Sequence, residues 1–150
     1  MESVEVRRLN AGEIERFAEL IGLFETVFEM ENFIPPSKGY LGKLLAREDF
    51  LAFVAVSSGK IRGGLTAYTL CQYYSESPLV YVYDLAVAVE WQRKGIGTAL
   101  IQGVKDHCKS AGVEEVFVQA DLVDDYALDF YRSTGARSEQ VVHFYYTLHP

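Results

Sequence analysis

Apolar positions recur along this chain with two different periods, and the exchange between them lays out the predicted elements. Val4, Val6 and Leu9 predict a short first strand. From Gly12 onward, Ile14, Phe17, Ile21, Phe24 and Phe28 return at steps of three and four residues, the apolar face of an amphipathic helix. NFIPPSKGY ends it, because tandem prolines cannot continue a helix. A second, shorter helix is predicted over Tyr40–Arg47. Phe50–Ser57 and Ile61–Leu70 are β-rich runs around SSGK, which reads as a hairpin. The polar loop QYYSESP then leads to a third long strand, Leu79–Val89.

Beyond that strand the helical period returns. Leu100, Ile101, Val104 and Cys108 face inward, with Gly112 as the stop. Val116–Ala120 reads as a strand, DDYALDFYRSTG as a helix, and Gln140–Leu148 as a last strand. The order is β-α-α-β-β-β-α-β-α-β. A meander followed by crossover helices predicts an α/β (α+β) fold, a mixed sheet with helices on both faces. No repeat, low-complexity tract or linker interrupts it, so residues 1–150 read as a single domain.

Composition narrows the class. A chain of 150 residues that is 49% hydrophobic can bury a sizeable core. No apolar run approaches the roughly 20 residues of a membrane span, and MESVEVRRLN is no signal peptide, so the expectation is a cytoplasmic protein without a membrane partner. The net charge of −7 argues against nucleic acid and favours cationic ligands. Cys71 and Cys108 are too few for a disulfide framework. Cys108 should be buried, on the same helix face as Val104. His107 is expected to point to solvent and His143 to be structural in the last strand. No spacing suggests a metal site.

The chemistry concentrates between Val80 and Leu100, VYVYDLAVAVEWQRKGIGTAL. An apolar strand holding one aspartate, Asp84, runs into Gln92-Arg93-Lys94-Gly95-Ile96-Gly97 and then into a helix. The first amides of a helix have no internal partner, and partial positive charge gathers there. Gly95 and Gly97 leave those amides open to a phosphate oxygen, and Arg93 and Lys94 add full charges: an anion seat suited to a pyrophosphate. It is neither a P-loop nor a Rossmann fingerprint, since position 100 is Leu.

Gln92 to Gly97 resembles the Q/R-x-x-G-x-G/A element of the GNAT N-acetyltransferases, and the order of elements is similar over nearly the whole chain. The resemblance implies the GNAT acyl-CoA N-acyltransferase fold with acetyl-CoA as cofactor. Its pyrophosphate would sit on the amides of Arg93 to Thr98, Ile96 included, and its pantetheine arm would pair with the backbone of Leu85, Ala86 and Val87. That pairing needs a sheet splayed between the strands 79–89 and 116–120. YVYDLAV, VFVQAD with Asp124 and Asp125, and ALDFYRSTGA look like the aminoglycoside 3-N-acetyltransferases, the gentamicin- and fortimicin-modifying branch. AELIGLFETVF, YLGKLL, FLAFVAV and GGLTAYTL fall where that branch has similar segments. Asp129 departs from it, standing where a small apolar residue is usual. The stretch after the last strand is very short and is expected to leave no room for the closing β-hairpin of many superfamily members.

Acetyl transfer to an amine needs a neutral amine, a polarised thioester carbonyl and a proton for the departing thiolate. Asp84 is the candidate for the amine's proton, since burial would raise its pKa; the alternative is an aspartate that binds backbone amides at a strand kink. The resemblance makes Tyr131 the donor to the thiolate and adds Ala127 and Tyr131 to the cofactor contacts. Glu25 and Glu29, with Glu31 beside them, and Asp121, Asp124 and Asp125 are the candidate contacts for a cationic aminoglycoside; a solvated acidic face is the other reading. The same fold could instead acetylate a polyamine, a small metabolite amine or a protein amine, or bind acyl-CoA without turning it over. Dimers are frequent in the superfamily, so a homodimer is admitted.

Overall fold

Helices and strands form where the two periods place them. The structure, a computed structural model, describes residues 3–149. The elements are β1 (Glu5–Arg8), α1 (Ile14–Val27), α2 (Lys38–Leu45), β2 (Phe50–Ser57), β3 (Lys60–Leu70), β4 (Leu79–Val87), α3 (Ile96–Ser110), β5 (Glu115–Val118) and α4 (Asp125–Ser133). Local chemistry sets several boundaries. Ser37 follows the prolines and caps α2, its hydroxyl accepting from the Tyr40 amide at 3.2 Å. Ser58 and Gly59 both take positive φ, 52° and 76°, which gives the β2–β3 hairpin a turn matched to the strand twist. Strand β4 stops two residues short of the expected end, and a 3-10 turn at Val89–Trp91 follows.

Residues up to Gln119 make one compact unit and those from Ala120 a second. The first unit holds a five-stranded sheet ordered β1-β2-β3-β4-β5, antiparallel except for the parallel β4–β5 pair. On one face α1 and α2 bury Phe17, Leu20, Leu41 and Leu45 against Ala52 and Val54. On the other, α3 buries Ile96, Leu100, Val104 and Cys108 against Phe53, Leu65, Val80 and Val82. His107 does not point to solvent as expected: its ring stands edge-on to Phe53 at 5.6 Å, and burial lowers its pKa. Among the described residues no helix is long and apolar enough to cross a membrane.

The second unit contains α4 and a C-terminal segment without helix or strand among the described residues. The expected strand over Gln140–Leu148 is absent. Its aromatic and β-branched residues suit a strand, but a strand exists only through a backbone partner, and this segment has none among the described residues. Its apolar side chains are two-thirds to nine-tenths exposed, from Val141 at 66% to Tyr146 at 91%. His143 therefore lies in no strand; its ring stacks on Tyr145.

One irregularity in β4 decides what the sheet presents. Thr66 pairs with Asp84 and Ala67 with Val82, which leaves Tyr83 as an extra residue in a β-bulge. Before the bulge, Val80 and Val82 face α3. After it the alternation is reversed: Ala86 faces α1, while Leu85 and Val87 face α3. Asp84, which shares the parity of Ala86, therefore lies on the α1–α2 side together with the rings of Tyr81 and Tyr83.

Candidate active site

The loop after β4 is built to present a helix end. Gly95 is the N-cap of α3 at φ 84°, and no side chain caps the helix. The first intrahelical bond runs from Ala99 to Gly95, so the amides of Ile96, Gly97 and Thr98 precede the ladder. Arg93 is also left-handed, at φ 61°, and exposed. The Gln92 side-chain amide donates to the Val87 carbonyl at 3.0 Å, tying the loop to the end of β4. Sequence reasoning missed a further support: the Trp91 ring carries the Arg62 guanidinium at 4.5 Å and the Lys94 ammonium at 5.0 Å. Lys94 is thereby held beside the helix end.

Strand β4 is open next to this loop. It pairs with β5 only from Leu79 opposite Glu115 to Val82 opposite Val118. From Asp84 to Val87 it has β3 on one side and, among the described residues, no β5 partner on the other, as the expected splay requires. An uncapped helix N-terminus beside an unpaired strand edge fits a pyrophosphate joined to an amide-bearing arm. The amides of Ile96 to Thr98 and the backbone of Leu85 to Val87 are the groups that would hold them. A carbonyl oxygen can accept twice, so the Gln92 bond does not close Val87.

Asp84 stands at the head of this open stretch. Its carboxylate is half-buried, and burial raises its pKa above the ordinary aspartate value. Among the described residues no amide, hydroxyl or cation is hydrogen-bonded to it; across the ladder lies the buried Thr66. Around it are phenols that sequence reasoning did not single out. Tyr68 is in electrostatic reach of Tyr83, Tyr40 and Asp84, and Tyr81 of Tyr83 and Asp84. The alternation of Val80-Tyr81-Val82-Tyr83 signals that two tyrosines share a face, but not that Asp84 joins them.

The acidic candidates fall in both compact units. Glu25 lies in the last turns of α1, the helix that packs on β3 and β4, and Glu29 stands just past it at φ 52°. A shallow cleft lined by Leu23, Thr26, Val27, Ala88, Val89 and Glu90 adjoins that helix and includes neither Asp84 nor the first turn of α3.

In the second unit Asp124 is the N-cap of α4: its Oδ1 accepts from the Ala127 amide at 3.0 Å. That gives Asp124 a structural duty the sequence reading did not foresee. Asp125 occupies the first helical turn, where negative charge is favourable, and the Asp121 carbonyl accepts from the Asp124 amide. The Tyr131 ring lies edge-on to Phe130 at 5.0 Å and is partly buried. Asp129 is on the same helix, its carboxylate 4.0 Å from Arg132.

The open strand edge and the uncapped helix start suit a carrier with an anionic end and an amide-bearing arm, and the half-buried carboxylate beside them can serve as a base. Residues 15–136 match the acetyltransferase (GNAT) family, and the chain belongs to that family. Its cofactor is acetyl-CoA. It is similar, at 56% identity over 97% of both chains and a TM-score of 0.96, to an aminoglycoside acetyltransferase from an uncultured soil metagenomic sample, solved in complex with sisomicin. A second aminoglycoside acetyltransferase from such a sample is 36% identical over 98% of this chain and 99% of that one, with a TM-score of 0.92. An aminoglycoside N-acetyltransferase solved with CoA, AAC(6')-Iy, shares the fold at 19% identity, covering 99% and 97%, with a TM-score of 0.80.

Proposed function

We propose that this chain transfers the acetyl group of acetyl-CoA to an amino group of an aminoglycoside. The acceptor is the 3-amine of a gentamicin-type antibiotic, transfer is direct within a ternary complex, and the activity confers resistance. One observation carries the reading: 56% identity over 97% of both chains with an aminoglycoside acetyltransferase that was solved with sisomicin. The net charge of −7 suits a polycationic acceptor. The family match runs across both compact units, which supports a single catalytic domain over residues 1–150.

Bound acetyl-CoA supplies an activated acetyl thioester. The protein's part begins with anchoring: the amides at the start of α3, with Arg93 and Lys94, hold the anionic end, and the β4 edge at Leu85–Val87 holds the arm. Asp84 attracts the acceptor's ammonium and takes up its proton. Its raised pKa makes it a better base than an exposed aspartate, because the ideal base titrates near the working pH. We assign Ala127 a cofactor contact and the Tyr131 Oη the proton that the leaving sulfur takes up. Glu25, Glu29, Asp121 and Asp125 steer the cation, and Asp124 adds charge to its capping role.

Thiol release from acetyl-CoA, measured with gentamicin, sisomicin and spermidine, tests the acceptor class, and NMR of the product locates the acetyl group. Turnover of spermidine with no aminoglycoside turned over would replace this reading with a polyamine acetyltransferase. Acetylation at another amine would move the assignment to a different regiochemical branch.

A further inference from the structure

A row of four aromatic rings lies on the α1–α2 side of the sheet, beside Asp84. Tyr68 stands edge-on to Tyr83 at 5.8 Å, Tyr83 edge-on to Tyr81 at 5.8 Å, and Tyr81 is stacked on Phe117 at 4.8 Å with the planes 5° apart. Tyr68 and Tyr81 are each held by a further contact. Tyr68 also meets Phe50 edge-on, and the Tyr81 hydroxyl donates to Gln119 Oε1 at 3.1 Å. Tyr83 is different: as the extra residue of the bulge it has no cross-strand partner, and it is 58% exposed. A tyrosine serving only as core would be covered; this ring is braced by two neighbours and open to solvent.

Tyr68 and Tyr81 lie within electrostatic range of the Asp84 carboxylate. Burial raises the pKa of Tyr68, and the neighbouring phenols of Tyr83 and Tyr40 and the charge of Asp84 add to it. Burial likewise raises that of Tyr81, followed by Tyr83 and Asp84. The patch thus combines one negative charge, a flat aromatic surface and a fringe of neutral hydroxyls. That is complementary to a protonated amino sugar, whose ring has apolar C–H faces and a rim of hydroxyl and ammonium groups. A tyrosine face presents negative quadrupole to the cation and apolar area to the C–H groups. A linear polyamine has no ring face to offer and gains only the charge contacts.

Resting on the aminoglycoside reading, we propose that Tyr83, braced by Tyr68 and Tyr81, is the specificity-determining wall of the acceptor site: it takes an amino-sugar ring face-on while Asp84 receives the amine to be acetylated. The aromatic row therefore selects cyclic over linear polycations.

Calorimetric titration of sisomicin into the full-length parent, Tyr83→Ala and Tyr83→Phe tests this, with steady-state kinetics on sisomicin and spermidine. Tyr83→Ala should raise the sisomicin Kd and KM about 3- to 30-fold, the range expected for a lost cation–π and stacking face. Its kcat should stay within about twofold and its acetyl-CoA Kd should not move, since the ring takes no part in bond making. Spermidine kcat/KM should fall less than that for sisomicin, and Tyr83→Phe, which keeps the ring, should restore most of the sisomicin affinity. Tyr83→Ala loses two edge-on ring contacts, so its Tm should fall by a few degrees while the variant stays folded. If the parent acetylates sisomicin and Tyr83→Ala binds it as tightly as the parent, the wall is refuted while the aminoglycoside reading stands. If Tyr83→Phe loses as much as Tyr83→Ala, the contact is to the hydroxyl and the ring-face proposal falls. A parent that neither binds nor acetylates sisomicin overturns both.

Discussion

Asp84→Asn should make this protein more stable and nearly inactive, and the opposite signs make the test demanding. The carboxylate is half-buried with no hydrogen-bonding partner among the described residues, and its pKa is raised by loss of solvent. A group whose folded pKa lies above its unfolded value binds more protons when folded. It therefore supports the fold below the ordinary aspartate pKa and loses that support as pH rises through the raised value. At neutral pH the parent carries the cost of an incompletely hydrated charge. Leaving a buried polar group unpaired costs about 1–3 kcal/mol, so half-burial leaves on the order of 1 kcal/mol for Asn to relieve. For a chain of this size that corresponds to a rise in Tm of about 2–4 °C. Catalysis should move the other way: losing a general base lowers kcat/KM by about 10²–10⁴-fold. The acetyl-CoA Kd should be unchanged, and the rise of rate with pH should flatten. Scanning calorimetry of the apoprotein at pH 7 and pH 4, with kinetics on gentamicin across pH, reads all four quantities. Parent-like kcat/KM in Asp84→Asn would refute the role of the carboxylate. A Tm advantage that persists undiminished at pH 4 would refute the account of its burial.

The remaining predictions separate structure from function at single positions. Gly95 sits at φ 84° with open space around it, so Gly95→Val should strain the backbone by about 1–2 kcal/mol without a clash and still raise the acetyl-CoA Kd steeply; a folded variant with parent affinity moves the cofactor elsewhere. Tyr131→Phe should lower kcat with both dissociation constants unchanged, by up to about 10²-fold because a thiolate leaves easily, and wild-type turnover would return Tyr131 to packing. Asp124→Ala should lower stability by about 1 kcal/mol through the lost cap, whereas Asp124→Asn keeps the cap and should raise only the aminoglycoside KM; equal Tm losses would show that the charge and not the cap matters to the fold. Glu13, bonded twice by the Arg7 guanidinium and once by the Asn10 amide, has its pKa held down to about 2. Its contribution is present above the ordinary glutamate pKa and lost as pH falls toward about 2, so the Tm gap between parent and Glu13→Gln, worth on the order of 1–2 kcal/mol after solvent screening, should narrow below about pH 5 and close only near pH 2.

What was legible in the sequence was what each segment decides for itself. The step of three and four from Ile14 to Phe28 specifies α1 because a helix closes its own hydrogen bonds. SSGK specifies the β2–β3 turn because Ser58 and Gly59 must both take positive φ. The glycine pair after Lys94 announces an opened helix start for the same local reason. What failed depends on partners. The tail from Gln140 has the composition of a strand but pairs with none among the described residues, and His107 is decided by Phe53, which lies in another element.

The bulge at Tyr83 is the sharpest case. Read along β4 alone, Val80, Val82, Asp84 and Ala86 share one face, which would bury the aspartate against α3 among Leu100 and Val104. Nothing within β4 forbids that register except the cost of a buried, unpaired charge, which no periodicity reports. Only the pairing with β3, where Thr66 meets Asp84 and Ala67 meets Val82, absorbs the extra residue and turns the carboxylate to the other side. The same single residue therefore releases the core from a charge, places Asp84 beside the tyrosines, and leaves Tyr83 unpaired and exposed. A pattern of side chains can nominate Asp84 as unusual, but the register between two strands decides which surface it serves.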